Sequence, residues 1–195
     1  MRGTRGLSQA ISEGDGISLL ADVGDAGAAG TAEGEGAEGV IVRRAFEGLR
    51  DATGLPILWC PGSAAEASRA GADAYLLVLD GLDDDDGELE RRHAETLELG
   101  LDCVVEVRNE DELQLALDRV DPEIFLLSGR SAAGVDPLEH VLSLLPDVPA
   151  GKLAIAEVEG AGAGEVSELE RAGIDAVIVR TDAVAELVGD PAPDF

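Results

Sequence analysis

Short apolar runs recur along the chain at intervals that suit β-strands alternating with helices. The runs are rich in aliphatic and β-branched residues, and amphipathic segments such as NEDELQLALDRVD and GEVSELERAG lie between them. Several of these segments end in Gly or Pro, as helices commonly do. The pattern predicts eight strands, at 17–23, 39–43, 56–60, 74–79, 103–107, 123–128, 152–158 and 175–180.

This alternation predicts an α/β fold built around a parallel sheet. Strands that alternate with helices pair in parallel through right-handed crossovers. An open doubly wound sheet usually has five or six strands, whereas eight near-equal units are typical of the closed (β/α)8 TIM barrel. We therefore interpret residues 1–195 as a single compact (β/α)8 barrel domain, in which residues 1–16 form an N-terminal lead-in segment.

The first units of this barrel leave little room for helices. The stretch GDAGAAGTAEGEGAE, after the first predicted strand, is so rich in glycine that a full helix is not expected there. It lacks both GxGxxG before a helix and GKS/T, which disfavours a phosphate-cradling loop. The expected fold is a compact TIM barrel with reduced helices in its first units.

Polar residues stand at the carboxyl ends of several predicted strands. Alternate residues of a barrel strand point inward, and active sites lie where the strands end. An inward Val104 places Glu106 over that opening, and the same parity holds on four other strands. A single carboxylate there would ordinarily be a solvated loop residue, but three of equal parity at one end indicate a site. The residues expected to converge are Asp22, Cys60, Glu106, Ser128 and Glu157.

The charge balance restricts the partners of the chain. It has 41 acidic and 14 basic residues, giving a net charge of −27, and such a surface repels nucleic acid and anionic membranes. Self-repulsion of this size favours a high-salt environment, with an ordinary acidic protein as the alternative. The run LDDDDGELE at 82–90 is interpreted as a solvated face, because it lacks the spacing of a calcium loop.

The apolar stretches of the chain bear on the location of the protein. No stretch approaches the roughly 20 residues needed to cross a bilayer, and MRGTRGLSQAISEGDG lacks the apolar core of a signal peptide, so we expect a cytoplasmic protein.

The two cysteines are predicted to lie apart. Cys60 ends one predicted strand and Cys103 begins another, so they are expected at opposite ends of the barrel, reduced and unpaired. Cys60 is either a reactive thiol or a small apolar filler, and Trp59 is expected to face the helices.

Four segments resemble one enzyme family. GLDCVVEVRNEDELQLAL, at 100–117, is similar to the strand-five segment of indole-3-glycerol-phosphate synthases, in which a catalytic Glu ends the strand. AISEGDGISLLADV resembles the family's entry into strand one, RAGADAYLLVLDGLDD its fourth strand and following loop, and RAGIDAVIVRTDAV its eighth strand and terminal helix. The resemblance keeps its order over nearly the whole chain.

The resemblance implies a TIM barrel that closes the indole ring of a carboxyphenylamino-deoxyribulose phosphate with loss of carbon dioxide and water. That reaction needs a lysine general acid on strand three, a carboxylate on strand five and polar groups on strands one, six and seven. Glu106 matches the strand-five residue, Glu157 matches the Glu of strand seven, and Asp22 stands where the family has Glu. The family further implies a monomer without a cofactor, with substrate-binding positions at Arg130, Gly160 and Arg180.

Several positions depart from the family pattern. Where the family has Arg-Lys-Asp-Phe the chain has LWCPG, so Cys60 replaces the general acid, and a second family lysine falls on Gly24. The Ser-Pro-Ser that follows becomes AGA at 26–28, and the paired asparagines of strand six become Ser128 and Gly129. After strand eight, a phosphate-turn glycine becomes Arg180, and Asp182 then adds negative charge.

These departures leave two functions open. With the lysines gone, Asp22, Glu106 and Glu157 have only Arg130 and Arg180 as candidate partners, so either one carboxylate stays protonated or a divalent cation lies among them. The first function is a binding or partner protein that has lost the family reaction. The second is an active lyase or isomerase. In either case the expected ligand is a small anionic or phosphorylated compound.

Overall fold

Eight parallel strands close into a barrel in the computed structural model, which describes residues 6–14, 16–80, 87–130 and 134–188. Each strand pairs with its neighbours in chain order, and β1 pairs with β8 to complete the ring. The predicted (β/α)8 barrel is therefore confirmed. The strands are β1 (Ser18–Asp22), β2 (Gly39–Val42), β3 (Ile57–Trp59), β4 (Ala74–Val78), β5 (Asp102–Val107), β6 (Ile124–Ser128), β7 (Leu153–Glu157) and β8 (Ala176–Arg180).

Helices connect successive strands and cover the outside of the barrel. Short 3-10 turns follow the seventh helix and precede the ninth, at Leu145–Asp147 and Thr181–Ala183. The helices are α1 (Leu7–Ser12), α2 (Ala26–Glu35), α3 (Leu49–Ala52), α4 (Ala64–Arg69), α5 (Glu88–Glu98), α6 (Glu110–Arg119), α7 (Pro137–Leu144), α8 (Ala163–Ala172) and α9 (Val184–Val188).

Strand parity divides the apolar residues into two layers. One layer fills the barrel interior and includes Leu20, Val104 and Leu126, while the alternate residues pack between strands and helices. Trp59 belongs to the outer layer and is 4% exposed, so the expectation that it faces the helices is confirmed. Because the inward residues of each strand form the interior layer, the next inward position on each strand lies at an end of the barrel.

Helix α1 closes the amino-terminal end of the barrel. Leu7 and Ile11 are buried within the interior layer, although they precede the first strand. The backbone N–H of Ser8 donates to Asp102 Oδ2 at 2.9 Å, which supplies an acceptor for one free N–H at the start of α1. Part of the segment predicted as a lead-in is therefore a component of the core.

The helices of the first units are only partly reduced. Helices α3 and α4 have four and six residues, as expected, but α2 has ten, so the expectation that no full helix forms after β1 is wrong. Asp25 caps α2 by accepting from the N–H of Ala28 at 2.8 Å, and Gly36 ends it with φ +99°. Ala29 and Ala32 are fully buried, because their small side chains let this helix lie close to the barrel.

The acidic run at 82–90, predicted to be a solvated face, lies mostly outside the described residues. Its end, from Glu88, begins α5. Across the described ranges, no helix combines the length and the apolar character needed to span a membrane.

Candidate functional site

The carboxyl-terminal opening of the barrel, here called the mouth, gathers the polar residues that strand parity predicted. Asp22, Glu106, Ser128 and Glu157 lie at or next to the ends of their strands, and Cys60 directly follows β3. The Ser128 hydroxyl donates to Glu157 Oε2 at 3.5 Å, and the Cys60 thiol lies within the electrostatic influence of all three carboxylates. The structure thus brings the five residues together, while their chemical roles stay predictions.

Two of the mouth carboxylates are buried. Glu106 is 8% exposed and Glu157 is 7% exposed, whereas Asp22 is half-buried. Burial of an ionised carboxylate is costly unless a cation or several hydrogen bonds compensate it. The partners of these acids therefore determine what the mouth can do.

Arg43 is the partner that sequence reasoning missed. It directly follows β2, two positions after the inward Ile41, and its Nε donates to Asp22 Oδ2 at 2.8 Å. Its Nη2 donates to Glu157 Oε1, so one guanidinium joins two of the predicted acids. The signal was present in the sequence, because the run predicted as strand 39–43 ends on Arg43 with inward parity.

A second arginine serves Glu106. Arg108 Nε donates to Glu106 Oε1 at 3.1 Å, and its Nη atoms donate to Asp80, two residues after β4. The backbone of Arg108 is also held, because its N–H donates to Glu112 Oε2 at 2.8 Å and its carbonyl lies 2.7 Å from His140 Nε2. Hydrogen bonds to Asp80 and Glu106 raise the pKa of Arg108, so its charge is permanent.

The two arginines expected to pair with the mouth acids differ in their partners. Arg130 Nη2 lies 2.8 Å from Glu157 Oε1, whereas Arg180 is exposed and donates to Asp182. The expectation that only Arg130 and Arg180 could neutralise the mouth is therefore wrong. Arg43 and Arg108 were not predicted as partners, although both have inward parity, two residues beyond Ile41 and Glu106 on their strands.

The strand-three position carries a neutral group. Burial raises the pKa of the Cys60 thiol to about 12; the positive charge of Arg43 opposes this rise, and the charges of Glu157, Asp22 and Glu106 add to it. Cys60 and Cys103 are both free, and Cys103 lies near the start of β5, so the predicted separation of two unpaired thiols is confirmed. The apolar-filler interpretation of Cys60 agrees with a thiol that stays protonated at neutral pH.

A cavity of about 730 Å³ opens from the mouth along β7, β8 and the loops that follow them. Arg130, Gly160 and Arg180, the three predicted substrate-binding residues, all line it, and Gly160 has φ +71° in the loop after β7. Five carboxylates share this lining with the two arginines, so the cavity has an excess of negative charge. The acids are Asp22, Glu157, Glu159, Asp182 and Glu186.

The mouth acids do not form a metal centre in the described part of the chain. No group of three or more His, Cys, Asp or Glu side chains there is arranged to hold a metal ion. A divalent cation was expected among acids without enough partners, whereas Arg43, Arg108 and Arg130 pair with all three of them.

Comparison with known proteins agrees with this geometry. A family model described as indole-3-glycerol phosphate synthase matches residues 62–186, which span β4 to β8 and the loop and helix that precede them. Among curated relatives, the indole-3-glycerol phosphate synthase of Acidithiobacillus ferrooxidans is 35% identical over 135 residues, covering 67% of this chain and 51% of the relative. That of Nocardioides sp. is 36% identical over 127 residues, covering 65% and 47%.

A third relative, the indole-3-glycerol phosphate synthase of Geobacillus kaustophilus, is 29% identical over 143 residues and covers 70% of this chain and 55% of the relative. The chain spans about half the length of the curated relatives it matches. The matched family model covers well over half of the chain, including Glu106 and Glu157 at their strand ends. The chain therefore belongs to the indole-3-glycerol phosphate synthase family.

Proposed function

We propose that this chain is a diverged member of the family that has lost the decarboxylating ring closure and acts as a binding or partner protein. The observation that carries this proposal is that none of the residues described by the structure places an acid-donating cation at the mouth. Lys152 is the only lysine of the chain, and it precedes β7 at the opposite end of the barrel, where it pairs with Asp121 at 2.7 Å.

The groups that remain at the mouth are poor proton donors at neutral pH. An arginine keeps its proton, because its pKa exceeds 12, so Arg43 and Arg108 supply charge without acid catalysis. The Cys60 thiol has a pKa of about 12 and is neutral, so it brings no positive charge to an anionic substrate. Loss of a positioned general acid costs roughly 10²- to 10⁴-fold in rate.

The charge of the cavity that would receive a phosphate also disfavours the family reaction. Arg180, the candidate cation at the end of β8, is engaged by Asp182, and Glu159 and Glu186 line the same cavity. A phosphate ester carries up to two negative charges, so it would enter against the excess of carboxylates. Loss of an electrostatic anchor typically costs a further factor of roughly 10² to 10³.

The second candidate function is an active lyase of the family. It is favoured by one observation, the presence of the carboxylates Asp22, Glu106 and Glu157 at or next to the carboxyl ends of β1, β5 and β7. In this alternative, a carboxylate would replace the lysine as the proton donor. The two functions differ in whether the family substrate is consumed.

The test is to mix the purified chain with the carboxyphenylamino-deoxyribulose phosphate and follow indole fluorescence. We expect turnover at least about 10⁴-fold below that of a curated relative assayed alongside, because both the acid and the phosphate anchor are lost. Glu106→Gln is the matched variant, since it keeps the shape of the side chain. Any residual signal should be the same in wild type and Glu106→Gln.

Turnover within about a hundredfold of the relative, abolished by Glu106→Gln, would contradict the proposal and establish the active lyase. The curated relative supplies the positive control for substrate quality. Circular dichroism of both variants supplies the control for folding.

A further inference from the structure

The Arg43 side chain reaches across the mouth between strands that are not neighbours. Arg43 follows β2, whereas Glu157 ends β7, and β1 and β8 separate these strands in the ring. Asp22, its other partner, ends the intervening β1. The guanidinium therefore bridges three strands over one side of the barrel interior.

This bridge places a permanent charge among buried acids. The Arg43 side chain is 29% exposed and that of Glu157 is 9% exposed, so water screens their interaction only in part. Hydrogen bonding to Asp22 and the charges of Glu157 and Asp22 raise the pKa of Arg43 against the opposing effect of burial, which is the largest single influence. No protonation change near neutral pH can remove this charge.

Arg43 differs in its partners from the other two guanidiniums that meet the mouth acids. Arg108 pairs with one mouth acid, Glu106, and is shared with Asp80, and Arg130 pairs only with Glu157 among the mouth acids through a side chain that is 59% exposed. Of these three guanidiniums, Arg43 is the one that joins two mouth acids, from an inward position two residues beyond Ile41 of the interior layer. Its charge thus acts on any group that approaches the strand ends.

We propose that Arg43 is the specificity-determining residue of the mouth. By holding a fixed positive charge between Asp22 and Glu157, it determines which charged groups can reach the strand ends. Without it, Asp22 would lose its ion pair and Glu157 would lose one of its two, so the mouth would repel anions and attract cations more strongly. This inference rests on the proposed function, because it concerns what a mouth that binds without turnover can admit.

Cys60 provides a native reporter of access to the mouth. It is half-buried, and Arg43 is near enough to influence its pKa. In a Cys103→Ala background, it can be modified with two thiosulfonate reagents of similar size, aminoethyl methanethiosulfonate, which is cationic, and sulfonatoethyl methanethiosulfonate, which is anionic. The ratio of the two rates cancels changes in thiol ionisation, since both reagents attack the same thiolate.

We expect Arg43→Met to raise the ratio of cationic to anionic modification rates by at least about tenfold, since removal of one nearby charge acts with opposite sign on the two reagents. Arg43→Lys keeps the charge and should leave the ratio within about threefold of wild type. Arg171→Met is the matched control, because it removes one positive charge from an exposed arginine in the last turn of α8, away from the mouth. It should change the ratio by less than about threefold.

Equal changes in Arg43→Met and Arg171→Met, or no change in either, would overturn the inference. If Arg43→Met does not fold, Arg43→Gln takes its place with the same expected tenfold rise. The result is distinguishable from that of the ring-closure assay, which follows indole formation. A catalytically active mouth with the predicted rate ratio would refute the proposed function while leaving the role of Arg43 intact.

Discussion

Leu7→Ala is expected to lower the free energy of unfolding by about 2–5 kcal/mol, although Leu7 lies before the first strand. Its side chain is fully buried in the interior layer of the barrel, and helix α1 that carries it is capped by Asp102 of β5. Truncation would leave a cavity that the surrounding strands cannot fill, because a closed barrel has no free edge that can move inward. Urea unfolding followed by circular dichroism measures the effect.

Leu97→Ala is the matched control for this experiment. Leu97 lies in helix α5, just as Leu7 lies in helix α1, but the side chain of Leu97 is 53% exposed. The same chemical change there should cost less than about 0.5 kcal/mol. A loss below about 1 kcal/mol in Leu7→Ala would show that α1 is a loosely attached segment and does not close the barrel.

Added salt is expected to produce the second large effect. The net charge of −27 is spread over a surface of 10017 Å², and repulsion between exposed carboxylates destabilises the folded chain. The Debye length falls from about 10 Å at 0.1 M salt to about 3 Å at 1 M. Raising KCl from 0.1 to 2 M should therefore raise the melting temperature by roughly 10 °C, which corresponds to about 3 kcal/mol for a chain of this size.

A charge-reduced variant separates screening from the general effect of salt on apolar burial. Glu95, Glu98 and Glu168 are exposed, and replacing all three with Gln removes charge without altering the core. The variant should melt higher than wild type at 0.1 M KCl, and the difference should shrink at 2 M. An unchanged salt slope would mean that self-repulsion is not what limits stability.

The positions of the mouth residues could be predicted from the sequence because a barrel strand imposes a strict alternation. Once Val104 is inward, Glu106 must point to the same side, and the same alternation applies to every strand with an apolar inward row. The pairing of those residues could not be predicted in the same way. Arg43 meets Glu157 across two intervening strands, and the distance between non-neighbouring strands depends on barrel closure.

Two local structures show where sequence patterns were insufficient. The glycine count of the segment after β1 argues against a helix, but the Asp25 cap, the αL Gly36 and the packing of Ala29 outweigh this propensity. Helix α1 is short and precedes the first strand, and six residues are too few for a helical period to distinguish a core element from a lead-in. In both cases tertiary packing decides the outcome.

The strand-three position of the mouth holds a neutral thiol, Cys60, where the family resemblance implies an acid-donating lysine. The most direct measurement is the rate of Cys60 alkylation by iodoacetamide as a function of pH, in the Cys103→Ala background. Because burial raises the pKa of Cys60 to about 12, the rate should keep rising about tenfold per pH unit up to at least pH 10. A plateau reached below pH 8 would contradict the account, since it would place an ionised, chemically competent group at that position.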